Sequence, residues 1–137
     1  MKNSWIKRKK SPRKKLRDEI GKLHFEILKL KRGNRCEITG LVVNDLGRFH
    51  ILPVGKYPEL EYMDENVLLA SWNLAHRHWH HDYYKAQKIE KKIKELRGED
   101  YKDNLLMIAR TCPKHGMFYL QALKVYFTQE LEILQKK

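Results

Sequence analysis

The chain has 137 residues, 42% of them apolar, and a net charge of +12 with a pI near 9.7. This length suits one domain with one substantial core, and the positive charge favours a polyanionic partner. No apolar run approaches the roughly 20 residues of a membrane span. The basic N-terminus around Trp5 and Ile6 lacks the apolar centre of a secretory signal. Two cysteines, Cys36 and Cys112, are too few for a disulfide framework, which points to a reducing, cytoplasmic setting.

Residues 1–17 hold nine basic side chains and no acid, which leaves only +3 for the rest of the chain. Such a run repels itself and buries little, so a flexible arm is expected over 1–17 and a single folded domain over 18–137. Its Lys7, Arg8, Lys9, Lys10, Arg13, Lys14, Lys15 and Arg17 are candidate DNA-phosphate contacts. The plainer reading is a solvated tail.

Over residues 16–31 the spacing of Leu16, Ile20, Leu23, Ile27 and Leu30 predicts a helix stopped at Gly33. Residues 36–43 are short, apolar and β-branched, 44–47 read as a turn, and 48–52 read as a returning strand. A hairpin is therefore expected, followed by an irregular loop through Pro53, Gly55 and Pro58. From about residue 65 the spacing of Trp72, Ala75, Trp79, Tyr83, Ala86, Ile93 and Leu96 predicts one long helix with these residues buried, ending at Gly98. A short helix over 103–110 and a final amphipathic helix over 116–134 complete an α+β, mostly helical chain. The expected core runs over about 36–97 and the C-terminal helices over about 100–135.

Chemistry gathers in the middle. His50 ends a predicted strand, Asn66 follows in the loop, and His76, His78, His80 and His81 come next. A strand-end histidine suits a general base that activates water, and the asparagine suits a loop brace. His76 and His80 share one helical strip with Asn73, which makes these three the candidate ligands of one divalent ion. Imidazole favours zinc or nickel over magnesium, with manganese a further candidate. Against this stand plainer readings: a structural His50, and a histidine-rich helix that is only a solvated face.

The segment 50–66, with its Gly55, Tyr57, Pro58, Leu60 and Tyr62, resembles the HNH (ββα-metal) endonucleases, and more narrowly the NinG/Rap group of phage recombination endonucleases. The spacing of His76 and His80 is similar to the metal helix of the nuclease colicins. The resemblance covers roughly 36–84. It implies a ββα-metal core and metal-dependent hydrolysis of DNA, with branched recombination intermediates as the expected substrate. It also implies a phage or other mobile element as source, with the bacterial host cytoplasm as its place of action. A sequence-reading nicking or homing endonuclease is the alternative, and a non-catalytic basic DNA-binding protein is the alternative of another class. A homodimer would give two symmetric cuts, with the apolar C-terminal helix as its interface, though that helix equally completes the core.

The departures are specific. Relatives hold hairpin and helix together with zinc on two Cys-x-x-Cys pairs, whereas only Cys36 remains here, and Trp72 is expected to pack in the metal's place. Relatives place a ligand before the base histidine, where this chain has Phe49, so His50 stands as base or as ligand. Cys112 and His115 with Cys36 form at most a weak zinc pattern.

Overall fold

The structure, a computed structural model, describes residues 9–74, 79 and 82–137. Helix α1 spans Pro12–Arg32. Ser11 caps it, its Oγ accepting the Lys14 N–H at 3.1 Å, and Pro12 sits in the first turn, where its missing N–H costs nothing. The helix thus begins before the expected Leu16. This corrects the flexible arm, because Arg13, Lys14, Lys15 and Arg17 are helical. Lys7 and Arg8 lie outside the described residues. Gly33, at φ 91°, ends the helix, a conformation other residues rarely adopt.

The hairpin differs from expectation. Strand β1 spans Leu46–His50 and pairs antiparallel with β2, Val67–Ser71, with Leu46 opposite Ser71 and His50 opposite Val67. Residues 36–43 form turns rather than a strand. Cys36 N–H donates to Leu41 C=O, Gly40 N–H returns to Cys36 C=O, and Gly40 takes a φ of 76°. This knuckle lies along the free edge of β2. Glu37 N–H donates to Leu69 C=O, and the Glu37 carboxylate accepts the Leu69 N–H at 2.6 Å. The long helix expected from residue 65 is corrected in the same stroke. Residues 67–70 are buried on both faces, and a continuous apolar run does not distinguish strand from helix by period.

After β2 the chain turns helical at Trp72 and Asn73, and Asp82 caps a new helix α2, Tyr83–Arg97. The expected stripe is only partly buried. Ile93 is buried, as is Ile89, whereas Trp72 and Tyr83 are 58% and 72% exposed. Helices α3, Tyr101–Thr111, and α4, Met117–Gln135, follow.

The sheet is the middle layer. Phe49, Leu68 and Ala70 face a core shared with Ile89 and Ile93 of α2 and with Tyr101 and Leu105 of α3. Val67 and Leu69 face Leu28 of α1. Behind α1, Ile20 and Ile27 pack on Leu120 and Phe127 of α4. Each such buried aliphatic side chain contributes about 1.5–3 kcal/mol. Among the described residues no helix is long and apolar enough to cross a membrane.

Candidate active site

Side chains alternate along β1, so Arg48 and His50 share the α1 face while Phe49 points to the opposite core. His50 Nε2 lies 2.9 Å from the Glu61 carbonyl oxygen. A carbonyl only accepts, so Nε2 carries the proton and Nδ1 keeps its lone pair. Burial pushes the His50 pKa down to about 4, which keeps the ring neutral near pH 7 and lowers its basicity. On the other face, Phe49 meets Trp79 edge-on, with ring centres 5.7 Å apart.

Asn66 is fully buried immediately before β2. Its Oδ1 accepts the Leu52 N–H at 2.8 Å, and its Nδ2 donates to the carbonyls of Leu52 at 3.1 Å and Leu60 at 3.4 Å. One side chain thus ties together both ends of the segment joining the strands. Arginines from two helices fix the same place: Arg32 donates to the Asp64 and Val67 carbonyls, and Arg97 to those of Glu65 and Val67. Asn66→Ala is expected to cost about 2–4 kcal/mol, because it strands backbone groups in the interior. Urea unfolding measures this; a loss under about 1 kcal/mol would show that Asn66 is not the brace.

The sequence reading missed a network beside His50. His24 of α1 is buried, with Nε2 2.8 Å from Asp64 Oδ1 and Nδ1 3.2 Å from Arg48 Nη1. Arginine only donates, so His24 Nδ1 accepts and Nε2–H donates to Asp64. Burial lowers the His24 pKa, and the bond from His24 lowers that of Asp64. Arg48 Nη1 also donates to the Glu61 carbonyl at 3.2 Å, the oxygen that anchors His50. Arg17 pairs with the Glu61 carboxylate at 2.8 Å, so this supposed phosphate contact is already engaged within the fold. Lys10 likewise reaches Asp18 at 2.7 Å. One signal was present in the sequence: His24 falls on the same helical stripe as Ile20, Ile27 and Leu28.

The expected metal ligands His76 and His80 lie outside the described residues, as do His78 and His81. Asn73 is exposed, and its backbone N–H donates to Asp45 Oδ2 at 3.0 Å. Among the described residues no three His, Cys, Asp or Glu side chains gather as a metal group. Cys36 is buried in the sheet core, while His115 stacks on Tyr62 and Tyr119, so the weak Cys36, Cys112 and His115 pattern is not assembled. The exposure of Trp72 also corrects its expected role as a packing substitute for zinc.

Two clefts flank the Arg17–Glu61 pair. One, of about 780 Å³, includes Arg13, Lys56, Lys114 and His115. The other, of about 410 Å³, includes Lys10, Lys22 and Arg48. Basic groups therefore border the Glu61 carbonyl that anchors His50. Comparison of the chain with known proteins finds no matching family model, no similar curated protein and no similar solved structure.

Proposed function

We propose that the chain is a metal-dependent endonuclease of the HNH type, hydrolysing DNA phosphodiester bonds, with branched recombination intermediates as its preferred substrate. The observation that carries this reading is His50, held neutral at the end of β1 with Nδ1 unprotonated. A neutral ring with a free lone pair can serve as general base, although a pKa near 4 makes it a weak one. The order of parts supports it: a strand ending in His50, a connecting segment closed by Asn66, a second strand, and a helical turn leading to the histidine-rich stretch. The commitment of Nε2 to Glu61 leaves Nδ1 as the ring nitrogen available to act, as base or as metal ligand, and this reading takes it as the base. The reading assigns His76 and His80, with Asn73, to a divalent ion. When bound, such an ion supplies Lewis-acid stabilisation of charge on the scissile phosphate.

One observation favours the non-catalytic DNA-binding reading. Phe49 stands where the resemblance calls for a ligand, and it is buried against Trp79. The deciding experiment incubates the protein with plasmid, nicked and branched DNA in magnesium, manganese, zinc or nickel. Nicking that is abolished by a chelator supports the enzyme. Binding without cleavage in all four ions would leave the non-catalytic reading standing.

The N-terminal basic run supplies a separate prediction. Removing residues 1–10 leaves α1 and its Ser11 cap intact and deletes five basic side chains. Each phosphate released lowers the log–log salt slope of duplex binding by about 0.9, so a fall of roughly two to four is expected. An unchanged slope in a salt series would mean that this run is a solvated tail.

A further inference from the structure

The geometry points to a phosphate-binding pocket between α1 and β1, in which Arg48 and Lys22 hold one backbone phosphate of a nucleic-acid strand. This rests on the nucleic-acid reading above but not on catalysis.

The argument begins with how the pocket's charges are paired. Its acids are Asp18 and Glu61. Asp18 is engaged by Lys10 at 2.7 Å and Lys14 at 3.8 Å, and Glu61 by Arg17 at 2.8 Å. Two cations remain. Lys22 is exposed on the rim and forms no ion pair among the described residues. Arg48 is part-buried, and its Nη1 is spent on neutral acceptors, His24 Nδ1 and the Glu61 carbonyl. It forms no ion pair with a carboxylate among the described residues. The Tyr62 ring lies 5.5 Å from the guanidinium and the Glu61 carboxylate acts on it from beyond ion-pair distance, so no direct carboxylate contact neutralises it, and its planar fork suits phosphate oxygens.

The backbone of α1 comes close to this group. Gly21 lies mid-helix in α1, where glycine costs about 1 kcal/mol relative to alanine. A Cβ there would stand 2.6 Å from Arg48 Nη2. The glycine leaves the space in which the guanidinium lies. On its other side the chain from Asp64 through His24 fixes the tautomer that Arg48 requires. Arg48 also shares its acceptor oxygen with His50 Nε2, which links the pocket to that ring although His50 is not among the lining residues.

The test measures binding of a labelled DNA duplex by the full chain in chelator, where no metal-dependent cleavage occurs. Arg48→Gln is expected to weaken binding about tenfold or more, the loss typical of a charge-assisted contact to phosphate. Arg48→Gln also breaks the internal bonds to His24 and Glu61, so Gly21→Ala supplies a second route. It favours the helix and keeps every other side chain, but by displacing the guanidinium it loosens the same two bonds. It should match the binding loss of Arg48→Gln, with circular dichroism and a melting curve showing that the chain remains folded. Lys22→Gln, on the exposed rim, should reduce the salt slope by about one. A second arm adds inorganic phosphate at fixed ionic strength, and competition seen in wild type but lost in Gly21→Ala supports the same pocket. Wild-type affinity and slope in both Gly21→Ala and Lys22→Gln would overturn the proposal and leave Arg48 as an internal clamp. That result could accompany normal cleavage, so it is separable from failure of the nuclease reading.

Discussion

Replacing His50 by alanine is expected to lower DNA cleavage about 10²- to 10⁴-fold while leaving DNA affinity near wild type. The ring sits at the end of β1, and its only protein hydrogen bond among the described residues runs from Nε2 to Glu61. That bond sets the tautomer, and Nδ1 is left to take the proton. Alanine removes the acceptor and the small strut to Glu61 but leaves the strand pairing of Leu46–His50 with β2 in place. Single-turnover cleavage of plasmid with saturating divalent ion reads the loss directly. The pH profile adds a second readout. A base held near 4 stays unprotonated well below the ordinary histidine range, so a loss of wild-type cleavage as pH falls past 6.5 should be recovered by more divalent ion, since it reports the imidazole ligands and not His50. Near wild-type rates in His50→Ala would remove this side chain from the chemistry.

Acid is expected to weaken the fold before the carboxylates titrate. In the unfolded chain His24 and His50 have ordinary pKa values near 6.5, and burial lowers both in the native state. Above pH 6.5 both states hold them neutral, so their contribution to stability is fully present. Below 6.5 the unfolded chain takes up protons that the native state refuses, and stability falls at up to about 1.4 kcal/mol per pH unit for each group. For His50 the loss continues down to about pH 4 and amounts to something on the order of 3 kcal/mol, with His24 adding in the same direction. Asp64, whose pKa is lowered by His24, acts beneath this window, below its ordinary 3.8. Urea midpoints measured from pH 7 to 4 should fall steadily, and His50→Gln should flatten the slope by one proton. Midpoints that hold constant between pH 7 and 5 would mean that neither ring is buried neutral.

The sequence made some of this legible and concealed the rest for physical reasons. Helix α1 was visible because Leu16, Ile20, Leu23 and Ile27 repeat on one face, and its stop was visible in Gly33. The last helix was visible through Leu120 and Phe127. Strand β2 was not, because Val67, Leu68, Leu69 and Ala70 are buried toward two different partners and lose the alternation that marks a half-exposed strand. Pairing β1 with the nearer run 36–43 was the local choice, and the knuckle at Gly40 prevents it. His50 and Asn66 stand out by type and position. Of the companions of His50, Arg48 lies two residues away on the same strand, whereas His24 and Glu61 come from positions that only the fold brings together. Arg17 looked like one more cation in a basic run, and nothing in its neighbours showed that Glu61 would claim it.

The tie at Val67 bears on how the molecule assembles. Its carbonyl oxygen receives Arg32 at 2.6 Å from the end of α1 and Arg97 at 3.2 Å from the end of α2. Both arginines are thirty or more residues away in sequence, so neither bond forms until long stretches of chain have closed. The hairpin has no tight turn to nucleate it, since residues 51–66 separate its strands. Strand pairing is therefore expected late in folding, together with the docking of both helices, and φ-values near zero at Val67 and Asn66 would bear this out. The interactions around Asn66 would be sparse in the transition state and would act mainly by slowing unfolding.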